Sequence, residues 1–212
     1  DIYLKESPQR SRAKIDKVFS LLDASRIRSV VLSEGFPYPE LIGSHRLTIP
    51  RIKTLWIKSA GKIASSLLAQ SRGALSVAIY ANRVSSDLDE TVRYLLPIVR
   101  RLNICIIGNS ELYLHGLLKE FGVSVITSSS ASASADVHLM LQRPSSMPAI
   151  DSKAIAVQFY DDEYDLPCRT VMNIEYSWPH RIKRAEDYPA DILLAALNES
   201  GALRPEDIII KN

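Results

Sequence analysis

Short apolar runs alternate with helix-like segments from residue 75 onward, and this alternation restricts the fold more than any other feature of the chain. Such an order is typical of βαβ units, in which successive parallel strands are joined by crossover helices. The pattern predicts a Rossmann-like, three-layer α/β domain with a mostly parallel sheet. The predicted strands are 75–81, 104–107, 123–127, 136–142 and 153–160, and the predicted helices between them are 87–102 and 111–121.

Residues 1–74 predict an N-terminal α/β segment that lies either in the same sheet or in a small N-terminal lobe. Ser7 and Pro8 provide a helix start, since proline is well tolerated at the first helical position. The first helix is expected to end near Asp23. A buried strand is predicted at 28–35 and a further helix at 52–70.

Residues 75–212 are predicted to form the Rossmann-like domain with an irregular C-terminal extension. Within the domain, Pro97 should kink the helix 87–102 or end it early. In the extension, the alternation at 169–178 predicts a strand, and a final helix is expected between Pro189 and Gly201.

The segment 36–51 combines three prolines with apolar side chains. Proline lacks an amide hydrogen, so a long regular element is not expected there. The apolar residues are nevertheless too many for a freely solvated loop; they are Phe36, Tyr38, Leu41, Ile42 and Leu47. We therefore expect the segment to dock on a neighbouring surface, either the protein's own sheet edge or a second subunit.

Positive charge is concentrated in the first third of the chain. Residues 1–62 contain 12 Lys or Arg and 6 Asp or Glu, whereas residues 63–212 contain 14 and 18, for a net charge of +2. A basic surface can bind nucleic acid or an acidic partner. Because neither interleaved aromatic residues nor a known binding signature accompanies the charge, a solvated helix face is the simpler interpretation. Nucleic acid is not the favoured partner.

Other features bear on the protein's environment. No apolar run approaches the roughly 18 residues that a membrane helix needs, so no membrane partner is predicted. Cys105 lies in an apolar strand pattern that predicts a buried, unreactive thiol, and with Cys168 far away a reducing, cytoplasmic location is expected. The chain begins at Asp1 rather than methionine, which indicates a trimmed amino end and leaves a removed leader open.

The stretch from 104 to 127 has the order of a nucleotide-binding unit: a strand, a glycine, a helix and a second strand. A dinucleotide fingerprint needs glycines at three positions for a tight turn, a close pyrophosphate and close helix packing. Counting from Gly108, the second and third positions hold Ser110 and Tyr113. The motif therefore does not predict a dinucleotide site, and Gly108 is better explained as a strand-to-helix turn.

A simpler anion site remains a hypothesis for the same edge of the sheet. Ligands of open α/β sheets bind outside the carboxyl ends of the strands, where helix N-termini expose amide groups. Against this site, Glu111 already complements the dipole of the following helix. The candidate ligand-binding residues are Gly108, Asn109, Ser110, Ser128, Ser129 and Ser130.

The sequence predicts no metal site, no cofactor and no identifiable catalytic group. The acidic run 160–165 lacks calcium-loop spacing, and its consecutive carboxylates are typical of a solvated loop. The four histidines show no zinc-ligand spacing; they are His45, His115, His138 and His180. Neither a nucleophile elbow nor a phosphate-binding loop motif is present.

Two functions of different classes follow from these observations. The first is a cytosolic, non-enzymatic binding or regulatory protein that engages another protein or its own copy. The second is an enzyme or sensor for a small anionic metabolite, phosphorylated or nucleotide-like, at the carboxyl ends of the strands. The first is favoured because each candidate residue has a plain structural explanation, and whether the protein is an enzyme stays open.

Overall fold

The structure, a computed structural model, describes residues 8–70, 76–108, 110–121, 126–127, 134–144, 148–160, 165–171, 174–179, 182–207 and 209–211. Its helices are α1 Pro8–Ala24, α2 Glu40–Ser44, α3 Ile52–Lys58, α4 Ala60–Gln70, α5 Ser86–Leu95, α6 Glu111–Phe121 and α7 Ala190–Glu199, with a 3-10 helix at Pro205–Asp207. Its strands are β1 Ser76–Ala81, β2 Arg101–Ile106, β3 Ile126–Thr127, β4 Val137–Met140, β5 Ile155–Gln158, β6 Arg169–Val171, β7 Glu175–Ser177 and β8 Ile209–Lys211.

Six of these strands form a parallel sheet in the order β3-β2-β1-β4-β5-β6. The strand order reverses between β1 and β4, because the chain first moves outward to β3 and then returns to the other side of β1. The predicted α/β class and its parallel, Rossmann-like sheet are confirmed. Three of the predicted strands lie in this sheet over the residues of β2, β3 and β4, with β2 and β3 parallel, while residues 123–125 lie outside the described part of the chain.

Helix α5 is shorter than the sequence pattern predicts. Ser85 caps its start, since the serine hydroxyl accepts a hydrogen bond from the Leu88 amide at 3.2 Å. The helix ends at Leu95, two residues before Pro97, so the expectation of an early end is confirmed. Leu102, the last residue of the predicted helix 87–102, belongs instead to strand β2.

The parallel sheet is covered on both faces, by helices on one face and by loops on the other. Helix α4 packs against α5 and strand β4, and α5 and α6 are linked by an ion pair, so these helices form one layer. On the opposite face, Ala78, Tyr80 and Met140 belong to a core cluster whose other members lie largely in loops. Those loop members are Ala135, Ile150 and Ala154, with Tyr160, Leu166 and Cys168 packed against them. Within the described residues, loops thus supply the third layer.

The N-terminal part of the chain has its own core. Ile15 and Phe19 on α1 pack against Leu41, Ile42 and Leu47, all buried. Phe36 and Tyr38 pack against the same cluster, and the Tyr38 hydroxyl donates to the Pro8 carbonyl at 2.8 Å. Docking of the segment 36–51 is therefore confirmed, but its surface is helix α1 rather than a sheet edge or a second subunit.

Three predicted elements differ in the structure. Residues 28–35 form no strand; a single parallel bridge joins Ser29 to Thr48. The helix predicted at 52–70 is divided into α3 and α4 at Ser59. The stretch 169–178 contains two strands, β6 at the edge of the parallel sheet and β7 in an antiparallel pair with β8. A period-2 pattern shows extended backbone, but it does not identify the partner strand.

The chain forms two compact units. One comprises Asp1–Thr54 and Trp178–Arg204, and the other comprises Leu55–Ser177 and Pro205–Asn212. The sequence pattern did not indicate that the final helix α7 belongs with the first unit. Ser29 and Glu199 contribute a hydrogen bond within that unit, since the Ser29 hydroxyl donates to Glu199 Oε2 at 2.9 Å. The parallel sheet lies entirely in the second unit.

Glycine at position 61 is needed for the contact between α4 and α5. A Cβ atom there would lie 2.7 Å from Cδ1 and 2.9 Å from Cγ of Tyr94. We expect Gly61→Ala to destabilise the protein by about 1–3 kcal/mol, because overpacking outweighs the better helix propensity of alanine. Urea unfolding measures this change. Gly43→Ala is the matched control, since a Cβ atom there meets nothing within 4 Å; equal stability of the two variants would contradict the packing argument.

Candidate functional site

The loops after β1, β2 and β4 meet at the carboxyl edge of the parallel sheet. The Gly108 amide donates to the Asn82 carbonyl at 3.2 Å, and the Asn82 amide donates to Gln142 Oε1 at 2.8 Å. The Ile107 amide donates to the Ala81 carbonyl at 3.3 Å. These bonds fix the loops at the place where ligands and partners of open α/β sheets bind.

The structure gives Gly108 a packing role. A Cβ atom at this position would lie 3.1 Å from the Asn82 carbonyl oxygen, which is tighter than ordinary van der Waals contact. Glycine therefore lets the loop after β2 approach the loop after β1 closely. This agrees with the interpretation of Gly108 as a strand-to-helix turn rather than as part of a dinucleotide fingerprint.

Two of the candidate ligand-binding residues are described by the structure. Gly108 and Ser110 lie at the carboxyl edge, and the Ser110 carbonyl accepts the first helical hydrogen bond of α6, from the Leu114 amide at 2.9 Å. Asn109 and the three serines Ser128–Ser130 lie outside the described residues. The convergence of these two loops therefore stays a prediction.

Both helices that begin at this edge carry acidic residues in their first turns. Asp87 and Asp89 lie in the first turn of α5, and Glu111 lies in that of α6. Carboxylates at these positions already stabilise the positive ends of the helix dipoles. The hydroxyl of Ser85 is likewise engaged with the Leu88 amide. These features make the edge less suited to an anion than helix N-termini usually are.

Large apolar side chains are exposed at the same edge. Leu112 in the first turn of α6 is 89% exposed, Ile107 after β2 is 61% exposed, and Val84 after β1 is 37% exposed. We call these three residues the edge patch. The residues named from the sequence as candidate ligands were polar, so this patch was missed. The available signal was the spread of large apolar residues around α6.

A groove of about 420 Å³ runs between α5 and α6, and two residues of the edge patch, Val84 and Leu112, line it. Arg93 spans it: two guanidinium nitrogens donate to Glu120 at 2.5 and 3.0 Å, and Nε donates to Asp89 at 2.7 Å. The guanidinium also lies 5.4 Å from the centre of the Phe121 ring. The lining residues are Val84, Ser85, Ser86, Asp89, Arg93, Leu112, Tyr113, Gly116, Leu117 and Glu120.

The floor of the groove contains polar atoms with little access to water. Burial, followed by the nearby Asp89 carboxylate, raises the pKa of the Tyr113 phenol. The Tyr113 hydroxyl and Asp89 Oδ1 are both buried, and neither has a hydrogen-bond partner of good geometry among the described residues. At the outer end, the hydrogen bonds from Arg93 lower the pKa of the Glu120 carboxyl. The groove therefore combines an apolar entrance with a polar interior.

His138 lies in the core on the loop-covered face of the sheet. Its ring stacks on Tyr80 with centroids 5.8 Å apart, and the Tyr80 hydroxyl lies 3.0 Å from Nδ1. Nε2 lies 3.2 Å from the Ala135 carbonyl. A carbonyl can only accept, so Nε2 carries the proton and Nδ1 accepts from the phenol. His138 is 0% exposed, which makes it a structural histidine without access to a substrate.

Burial lowers the pKa of His138 below its ordinary value of 6.5, an effect that the hydrogen bond to Ala135 partly opposes. The unfolded chain therefore binds a proton below about pH 6.5 that the folded protein does not bind, so acidification favours unfolding. We expect the stability of the wild type to fall relative to His138→Gln as the pH drops below 6.5, by at most about 1.4 kcal/mol per pH unit. Urea unfolding between pH 7.5 and 5 measures the difference. Parallel stability profiles of the two proteins would contradict this role.

His45, His115 and the two cysteines have surface or packing positions, and His180 lies outside the described residues. His45 Nε2 lies 2.7 Å from Asp16 Oδ1 in the N-terminal unit, and His115 is exposed on α6. Cys105 is 9% exposed, so its predicted burial is confirmed, while its low reactivity stays a prediction. Neither Cys105 nor Cys168 forms a disulfide. The acidic run has its central residues 161–164 outside the described part of the chain. Among the described helices, none has the length and apolar character to cross a membrane.

Comparison with known proteins does not assign a family. The chain matches no family model and no curated protein. Among solved structures it is similar to 5-ketofructose reductase from Gluconobacter sp. strain CHM43, with 12% identity, 69% of this chain covered and a TM-score of 0.33. L-Tryptophan dehydrogenase from Nostoc punctiforme has 12% identity, 64% of this chain covered and a TM-score of 0.34.

A third similar structure is the plantazolicin methyltransferase BpumL, with 14% identity, 62% of this chain covered and a TM-score of 0.26. The chain covers 64%, 40% and 49% of the length of these three structures, respectively. Similarities at this level do not assign an activity.

Proposed function

We propose that the protein is a cytosolic, non-enzymatic binding protein that engages another protein through the edge patch and the adjoining α5–α6 groove. The observation that carries the proposal is the 89% exposure of Leu112 on the lining of this groove, while Ile107, 61% exposed, lies at the same edge in the loop after β2. Large apolar side chains that stand together beside a concave surface are typical of interaction sites. Burying one such side chain contributes about 1.5–3 kcal/mol.

The hydrogen bonds behind the patch support this function. Gly108 and Gln142 bond to the backbone of Asn82, so the loops that carry Ile107 and Val84 are held together. Arg93 on α5 donates to Glu120 of α6 and to Asp89 of its own helix, so it joins the two helices through Glu120. A surface held in one arrangement before binding loses less conformational entropy on association. The edge patch is thus presented on a preorganised frame.

The structural roles of the candidate catalytic groups also favour binding over catalysis. His138 is occupied by Tyr80 and the Ala135 carbonyl in the core, and His45 is paired with Asp16. Each of these histidines therefore has an explanation that needs no substrate.

A photo-reactive amino acid tests the proposal in cells that make the protein. We expect a photo-reactive side chain at position 112 to crosslink a defined protein, because that position would be buried in the complex. The control position is Lys153, an exposed residue that precedes β5 and hence lies at the amino edge of the sheet. Mass spectrometry of the crosslinked product identifies the partner. Equal crosslinking at positions 112 and 153 would contradict the proposal.

A small anionic metabolite at the carboxyl edge is the second candidate function. Arg83 after β1 and Arg143 after β4 are exposed at this edge and supply positive charge that the sequence interpretation had not included. The site would then comprise Gly108 and Ser110 with the loop Ser128–Ser130.

A thermal-shift screen of phosphorylated metabolites tests this second candidate. A ligand at 100 times its dissociation constant should stabilise the protein by about 2.7 kcal/mol. We expect Ser110→Glu to abolish the shift, since it places a second carboxylate beside Glu111, while leaving the fold intact. Unchanged binding by this variant would place the ligand elsewhere, and an absence of hits would reject this candidate.

A further inference from the structure

Helix α6 exposes apolar side chains along most of its length. Leu117 is its one buried residue, whereas Leu112 is 89%, Leu118 48% and Phe121 38% exposed. At Gly116, a Cβ atom would meet nothing within 4 Å. A helix that belonged only to its own sheet would confine its leucines to one stripe. The outer face of α6 is therefore suited to a second partner.

Four exposed residues of α6 form two pairs that are symmetric about His115. Glu111 and Lys119 lie four residues to either side of it, and Leu112 and Leu118 lie three residues to either side. With a rise of about 1.5 Å per residue, the members of each pair stand at equal heights above and below the centre. An antiparallel copy of α6, related by a two-fold axis at His115, would thus place Glu111 level with Lys119 of the second copy.

We propose that the partner of this surface is a second copy of the same chain, which docks α6 against α6 in an antiparallel, two-fold arrangement. This inference rests on the proposed function and names its partner. A two-fold contact uses the same surface on both chains, so a residue and its match must be complementary. Here acid meets base twice and leucine meets leucine twice.

The positions of Glu111 and Lys119 have another explanation, but that explanation does not account for the exposure of Leu112 and Leu118. Glu111 in the first turn and Lys119 in the last turn each complement the dipole of their own helix. The dipole gives no reason for Leu112 and Leu118 to be exposed at equal distances from the same centre. Self-association accounts for both the charges and the exposed leucines.

The test uses two single variants of the purified protein, Glu111→Lys and Lys119→Glu. In a homodimer of either variant, like charges face each other twice, so we expect the dissociation constant to rise about tenfold or more. In a mixture, each chain of one variant meets the opposite charge on the other variant twice. We therefore expect the mixture to form heterodimers with an affinity near that of the wild type. Sedimentation equilibrium and native mass spectrometry with one chain tagged measure both effects.

Matched controls separate docking from folding. Lys153→Glu makes the same charge change away from α6 and should leave self-association unchanged. Leu112→Asp should abolish self-association without lowering the thermal midpoint measured at a dilution at which the wild type is monomeric, because Leu112 is solvated in the single chain. Circular dichroism verifies that every variant is folded.

Three results would overturn the inference: a wild type that stays monomeric, single variants that associate like the wild type, or a mixture that forms no heterodimer. The proposed function would survive these results if position 112 still crosslinked a different protein. Conversely, crosslinking at position 112 no stronger than at position 153 would reject the proposed function itself.

Discussion

The pairing of β1 with β4 is the contact on which the architecture of the sheet depends. These strands are separated by two helices and two other strands in the chain, yet they align from Val77 with Val137 to Tyr80 with Met140. At the amino end, Asp136 Oδ2 accepts from both the amide and the hydroxyl of Ser76, at 2.9 and 2.6 Å. At the carboxyl end, Gln142 accepts from Asn82. Side-chain hydrogen bonds thus fix the register at both ends.

This register determines where the carboxyl edge of the sheet and its loops lie. Because β1 has β2 on one side and β4 on the other, the loops that leave these strands meet at one edge. A slip of the β1–β4 register by one residue would exchange the faces of β4 and move His138 out of its contact with Tyr80. The buried hydrogen bonds of His138 therefore stabilise the same β1–β4 register as the hydrogen bonds of Asp136 and Gln142 do.

Much of the parallel sheet could be predicted from the sequence, because its signals are local. The apolar runs of β1, β2 and β4, the proline that ends α5 and the extent of α6 follow from side-chain periodicity and backbone chemistry. The partner of each strand could not be predicted in the same way. The run 28–35 is apolar enough for a strand, but most of its backbone has no strand partner, and Val30 and Leu32 pack on the core of α1 instead.

The candidate site could also be predicted only in part from local sequence signals. Local rules located the carboxyl edge and the turn at Gly108, since both follow from the order of strands and helices. They directed attention to polar residues, because the expected ligand was an anion. Whether Leu112 is covered depends on the neighbours that folding brings to it, and no property of residues 111–121 alone decides that. The spread of apolar residues around α6 was the usable signal, since Leu112 and Leu117 are five residues apart and so lie about 140° apart around the helix, wider than one buried stripe.

The ion pairs of Arg93 fix the orientation of α6 about its own axis. By holding Glu120 near the end of α6 and Asp89 near the start of α5, Arg93 limits rotation of α6 about its own axis. Rotation by one residue position, about 100°, would turn Leu112 away from the groove and carry Leu117 out of the core. The buried position of Leu117 and the exposed position of Leu112 are therefore two results of one constraint. A helix fixed in this way can present a complementary surface without rearrangement, which is the condition for a stable contact through a patch of so few residues.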